Sequence, residues 1–100
     1  MAWEYITSGD YGFVGKLTVV QDNVVQDISS YTTLQYILTS PHGISSTVTA
    51  AFDTDGTDGV LAYTFQDGDI DDDGEWRVRA RLSKTGARLT SEEHTFRVER

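Results

Sequence analysis

Asp69, Asp71, Asp73 and Gly74 spell D-x-D-x-D-G, the opening half of a calcium loop. In such a loop alternate carboxylates converge on a hard cation and the glycine permits the sharp turn. The closing half is missing. Counted from Asp69, the twelfth position holds Ala80 rather than a bidentate glutamate, and residues 76–82 alternate like a strand where a helix is needed. An EF-hand is therefore excluded. A simpler Ca²⁺ site on Asp69, Asp71 and Asp73 stays open, because carboxylates about 6 Å apart repel by roughly 0.7 kcal/mol per pair in water and a divalent ion relieves that repulsion. A solvated acidic turn at the end of a sheet accounts for the same residues equally well.

Other chemistry is poorly supplied. His42 sits in a proline-glycine turn and His94 in the connection Ser-Glu-Glu-His-Thr. Neither has a serine in a nucleophile elbow or a partner at metal-ligand spacing. The absence of cysteine excludes thiolate zinc sites, disulfides and a cysteine nucleophile. The glycines lie among aspartates that would repel a phosphate. The sequence predicts a protein that is not an enzyme and has no cofactor apart from the candidate calcium.

Charge narrows the partners. Eight Lys+Arg against 16 Asp+Glu give a formal net charge of −8, which disfavours nucleic acid and anionic membrane surfaces. The distribution is uneven: of the eight basic residues only Lys16 precedes residue 75, so the last quarter of the chain is locally basic. Arg77, Arg79 and Arg81 project from one side of one strand. They either pair across strands with the acidic excess or form a contact face for an acidic partner. Trp3, Tyr5, Tyr11 and Tyr31 can pack at an edge, stack on a sugar or anchor a protein interface, whereas Trp76 and Tyr63 fall on inward rows.

The elements that position these groups are strands. One hundred residues allow one domain around one core. Period-two alternation runs through 13–21, 33–39, 46–52 and 60–66. It is cleanest at Trp76, Val78, Ala80 and Leu82 against Arg77, Arg79, Arg81 and Ser83, and the last strand places Phe96 and Val98 inward. Turn signals at Asp22-Asn23, Ser40-Pro41-His42-Gly43, residues 53–59, 67–74 and Thr85-Gly86-Ala87-Arg88 separate them. Asp22-Asn23 reads as a hairpin or a bend. Residues 1–12 read as an edge strand or a docking arm. No apolar run approaches the roughly 18 residues of a membrane span, and the start MAWEYITSGD has no basic-then-apolar leader, so synthesis in the cytoplasm is expected. The predicted architecture is all-β, an antiparallel β-sandwich of six to seven strands.

Residues Asp72-Asp73-Gly74-Glu75-Trp76-Arg77-Val78 resemble the D-x-G-x-Y corner of immunoglobulin-like sandwiches, with Trp76 at the tyrosine position and Val78 at that of the second cysteine. Over nearly the whole chain, five features follow in order: Gly9-Asp10, Val25 to Ser29, Leu34 to Leu38, Asp58 to Tyr63 and Asp73 to Trp76. That order resembles the N-terminal domain of phage baseplate upper proteins and related immunoglobulin-like virion domains. The resemblance implies an immunoglobulin-like topology and a structural adaptor in a virion, placed in tail, baseplate, neck or capsid surface. It also implies contacts with other virion structural proteins, in an oligomer. The alternative is a carbohydrate- or receptor-binding module, calcium-assisted at Asp69 to Asp73.

Overall fold

The computed structural model describes residues 6–91 and 93–100. Among them the chain is all-β, in eleven strand segments: β1 (Ile6–Thr7), β2 (Val14–Thr18), β3 (Val20–Gln21), β4 (Val24–Val25), β5 (Thr33–Thr39), β6 (Ser45–Thr49), β7 (Ala51–Phe52), β8 (Val60–Thr64), β9 (Gly74–Lys84), β10 (Ala87–Thr90) and β11 (His94–Glu99). The largest sheet runs β1-β11-β9-β5-β6, with β10 also on β9. A second sheet runs β2-β8-β7, and β3-β4 form a separate pair. Every pairing is antiparallel except β1 on β11, which is parallel, with Ile6 opposite Val98. The expectation of a wholly antiparallel sheet is corrected there: the first and last of the described strands lie side by side and run the same way.

More segments form than the six or seven expected, because two alternating runs change partners midway. The run 13–21 breaks at Val19, whose N–H still bonds the Gly59 carbonyl in the β2-β8 register (2.7 Å) while its carbonyl already accepts the Gln26 N–H (3.0 Å) of the β3-β4 hairpin. The run 46–52 breaks at Ala50. Its N–H still bonds Leu34 of the large sheet (2.9 Å), while Ala51 already faces Ala62 in the second sheet. Between β3 and β4 the turn is a two-residue hairpin with both Asp22 (φ 53) and Asn23 (φ 64) left-handed, the conformation whose twist matches flanking strands.

The last segment also divides. β10 faces β9 with Thr90 opposite Arg81, and β11 with His94 opposite Val78. Three residues thus face two, which is a bulge. The inward face switches from odd residues (Leu89, Ser91) to even ones (Phe96, Val98). Ser91 fills the gap: its Oγ accepts the Ala80 N–H at 2.8 Å and its N–H donates to the Ala80 carbonyl at 2.9 Å.

One core forms between the two larger sheets. Leu17, Leu61 and Phe65 from one side meet Tyr36, Trp76, Val78, Leu82, Phe96 and Val98 from the other, all buried. The Tyr36 hydroxyl crosses to donate to the Gly15 carbonyl at 3.1 Å, so the ring is buried with its polar end satisfied. Burial holds that phenol above its ordinary pKa. Ile70, the one apolar residue of the aspartate loop, is fully buried and anchors it. Ile6 is fully buried as well, so β1 is tied to the body by its own side chain.

Candidate interaction face

β9 carries two unlike faces because a strand sends alternate side chains to opposite sides. Its even residues enter the core and its odd ones stand on the outer face of the large sheet. Register fixes their neighbours. Thr90, Arg81, Gln35 and Thr49 form one row across β10, β9, β5 and β6. The rows on either side hold Arg88, Ser83 and Thr33, and Arg79, Ile37 and Thr47. Ile37, in the row of Arg79 and Thr47, is only 8% exposed although it stands outside the core cluster.

The arginines of this face divide by partner. Arg77 reaches Glu93 at 3.9 Å, both side chains roughly half exposed. No carboxylate of a described residue lies within 4.0 Å of Arg79, Arg81 or Arg88. Arg81 and Arg88 flank a shallow cavity of about 280 Å³ completed by Gln35 and Ser83. Two fixed cations, an amide and a hydroxyl around an open hollow suit a carboxylate or another planar oxyanion, because guanidinium forks match its geometry. The sequence places Arg88 at the end of the turn Thr85-Gly86-Ala87-Arg88. The turn is shorter, closing at Thr85-Gly86 with Gly86 at φ 85, so Arg88 stands on β10 opposite Ser83. A glycine in the second place of a two-residue loop is the signal that would have placed it.

The other candidates are not gathered into one site. The Asp69 carboxylate accepts the Tyr63 hydroxyl at 2.5 Å and the Gln66 N–H at 2.8 Å, closing its own loop. Burial, then this carboxylate, pushes the Tyr63 phenol above its ordinary pKa. Asp71 gives its carbonyl to the Ser8 hydroxyl at 2.7 Å, and the Asp73 carboxylate lies 3.8 Å from Arg100. The carboxylates of Asp69 and Asp73 are thus committed to different neighbours, and among the described residues no three His, Cys, Asp or Glu side chains converge as a metal site.

Trp3 and Tyr5 lie outside the described residues. Tyr11 is 63% exposed beside the aspartate loop, next to Gly12, whose N–H bonds the Phe65 carbonyl. Tyr31 lies at the opposite end, packed against the core with the Lys84 ammonium 4.6 Å over its ring. His42 stands 4.0 Å from Asp72, exposed, and His94 opens β11 opposite Val78. No protein-family model matches the sequence, and no curated protein matches it significantly.

Proposed function

We propose that this chain is a non-enzymatic assembly module of a phage virion, an immunoglobulin-like β-sandwich that joins other structural proteins through the outer face and edges of its large sheet. The observation that carries the reading is the set Arg79, Arg81 and Arg88. With twice as many acids as bases, the chain has carboxylates to spare, yet among the described residues none stands within ion-pair distance of these three guanidinium groups. A neighbour offering carboxylates there gains charge-assisted hydrogen bonds and steering, and a neighbour without them is rejected.

Two further features support the immunoglobulin-like part. Trp76 takes the corner tyrosine's position, and its Nε1–H reaches back to the Asp72 carbonyl at 2.8 Å, the same upstream backbone bond that defines that corner. The two larger sheets share one core. The module is made in the host cytoplasm and works in the particle, where many modest contacts add up over symmetric copies.

The test is to purify particles grown from the genome that encodes the chain and to ask whether the chain co-sediments in fixed proportion. The double variant Arg79→Glu/Arg81→Glu is expected to fold and to drop out of the particles. Absence of the chain from particles, or calcium-dependent binding to glycan arrays with no place in the particle, overturns the reading.

A further inference from the structure

Among the described residues the large sheet ends at β6, and the ladder pattern shows which of its backbone groups point away from β5. Ala50 N–H bonds Leu34 C=O at one end of the β5-β6 pair and Ser40 N–H bonds Ile44 C=O at the other. Bonds in an antiparallel ladder recur at every second residue, so the even residues 44, 46, 48 and 50 are the ones turned toward β5. Ser45, Thr47 and Thr49 therefore direct their N–H and C=O groups outward, at an exposed edge.

Natural edges are blunted by charge, proline or a bulge. This one has none of these: Ile44 to Phe52 reads ISSTVTAAF, without a charged residue or proline in a chain of net charge −8. The outward groups are also spaced symmetrically about Thr47. An antiparallel copy related by a two-fold axis through Thr47 places Ser45 opposite Thr49 of the other copy and Thr47 opposite its own mate. All three pairs are then of the type that exchanges both bonds. On the outer face the axis juxtaposes hydroxyl residues, a favourable cross-strand combination, and no like charges meet.

We infer that the β6 edge pairs with the β6 edge of a second copy of this chain, making one continuous sheet across a two-fold dimer. The inference rests on the assembly reading, in which sheet edges are joints, and names the edge and its partner. Its consequence concerns the arginines. In the order β9-β5-β6-β6-β5-β9 the two Arg79-Arg81 rows share one twisted face, five strand spacings or about 24 Å apart. An acidic partner is then gripped twice, and the second contact is intramolecular.

An interface this narrow falls in the weak, transient class, so the test is sedimentation equilibrium over a wide concentration range. The average mass is expected to rise from 11.1 kDa toward twice that value. In step with it, amide exchange should slow at Ser45, Thr47 and Thr49 but not at Ser46 and Val48. Thr47→Pro removes an outward N–H while sparing the β5 ladder, and should lower the association constant at least tenfold; Thr47→Lys, which sets two cations on the axis, checks the same point without a backbone change. A chain that stays at 11.1 kDa throughout, or one whose association is untouched by both variants, overturns the inference. Arg79→Glu/Arg81→Glu should leave self-association intact, so a double variant that stays in the particles counts against the assembly reading and not against the edge.

Discussion

Ser91→Ala removes a buried hydrogen-bond acceptor that holds the sheet together where its ladder fails. At the bulge between β10 and β11 the Ala80 N–H donates to the Ser91 Oγ at 2.8 Å. Ala80 is fully buried and Ser91 is 7% exposed, so water has no route to replace the lost acceptor. Leaving a buried donor unsatisfied costs about 1–3 kcal/mol, and we expect about 2 kcal/mol here. For a domain of this length that lowers the thermal midpoint by about 8–16 °C. Ser40 provides the control. It is as buried, at 5%, but its Oγ accepts from the N–H groups of His42 and Ile44 at 3.3 and 3.2 Å, in a turn whose residues are exposed and can rehydrate. Ser40→Ala should cost less than about 1 kcal/mol. Urea titration gives both values, and amide exchange at Ala80 should accelerate only in Ser91→Ala. If Ser91→Ala unfolds within 0.5 kcal/mol of the parent, or if Ser40→Ala is the more damaging (a scale set by ordinary hydrogen-bond deletions of roughly 1 kcal/mol), the bulge does not depend on that serine.

Two other outcomes follow from the same geometry. Gly59 has φ 74, and a Cβ there would stand 2.6 Å from the Gln26 carbonyl oxygen and 2.7 Å from Val25 Cγ1, whereas Gly68, at φ 91, has open space around it. Gly59→Ala should therefore cost more than about 2 kcal/mol in urea and Gly68→Ala only the left-handed penalty of about 1–2 kcal/mol; equal costs would refute the crowding. Stability should also fall at both extremes of pH. Tyr36 and Tyr63 have raised pKa values in the fold, so their contribution is complete below about pH 10 and is lost as pH climbs through the folded values. Asp27 and Asp55 are held below the usual carboxylate range by hydrogen bonds from Ser29 and Thr57, so theirs is present above about pH 4 and fades as pH drops through the lowered values. Tyr36→Phe should blunt the alkaline loss and Asp27→Asn the acid loss, each followed by fluorescence melts across pH; an unchanged pH profile in either variant argues against its assignment.

What the sequence revealed depended on how local each constraint is. The alternation from Trp76 to Leu82 forecast a strand with one buried face, because period two and the core are the same fact seen twice. The break at Ala50 was not legible, since it is caused by partners far along the chain, β5 on one side and β8 on the other, whereas that at Val19 belongs to the local hairpin in which its carbonyl accepts the Gln26 N–H. The bulge did leave a trace: Leu89 is odd and Phe96 even, and no regular strand can turn both inward. The aspartate spacing suggested convergence, but Tyr63 and the Gln66 N–H, remote from the motif's own pattern, claim the first carboxylate. Arg77, Arg79 and Arg81 were placed on one face correctly; their partners were not, because pairing is a property of register.

The bulge that turns Ser91 inward also bears on the open arginine. If β11 kept its own register one pair further, Glu93 would stand directly opposite Arg79, as His94 stands opposite Val78. The extra residue displaces it, and Glu93 lies instead 3.9 Å from Arg77. Arg79 is then left with Ile37 and Thr47 in its row on the β5 side and, among the described residues, no acid within ion-pair distance. An internal Arg79-Glu93 pair at the surface would have added little to stability, because exposed pairs contribute about 0–1 kcal/mol. The loss to the fold is correspondingly small, and the guanidinium stays available for a neighbour's carboxylate, whose approach removes water from the pair and strengthens it.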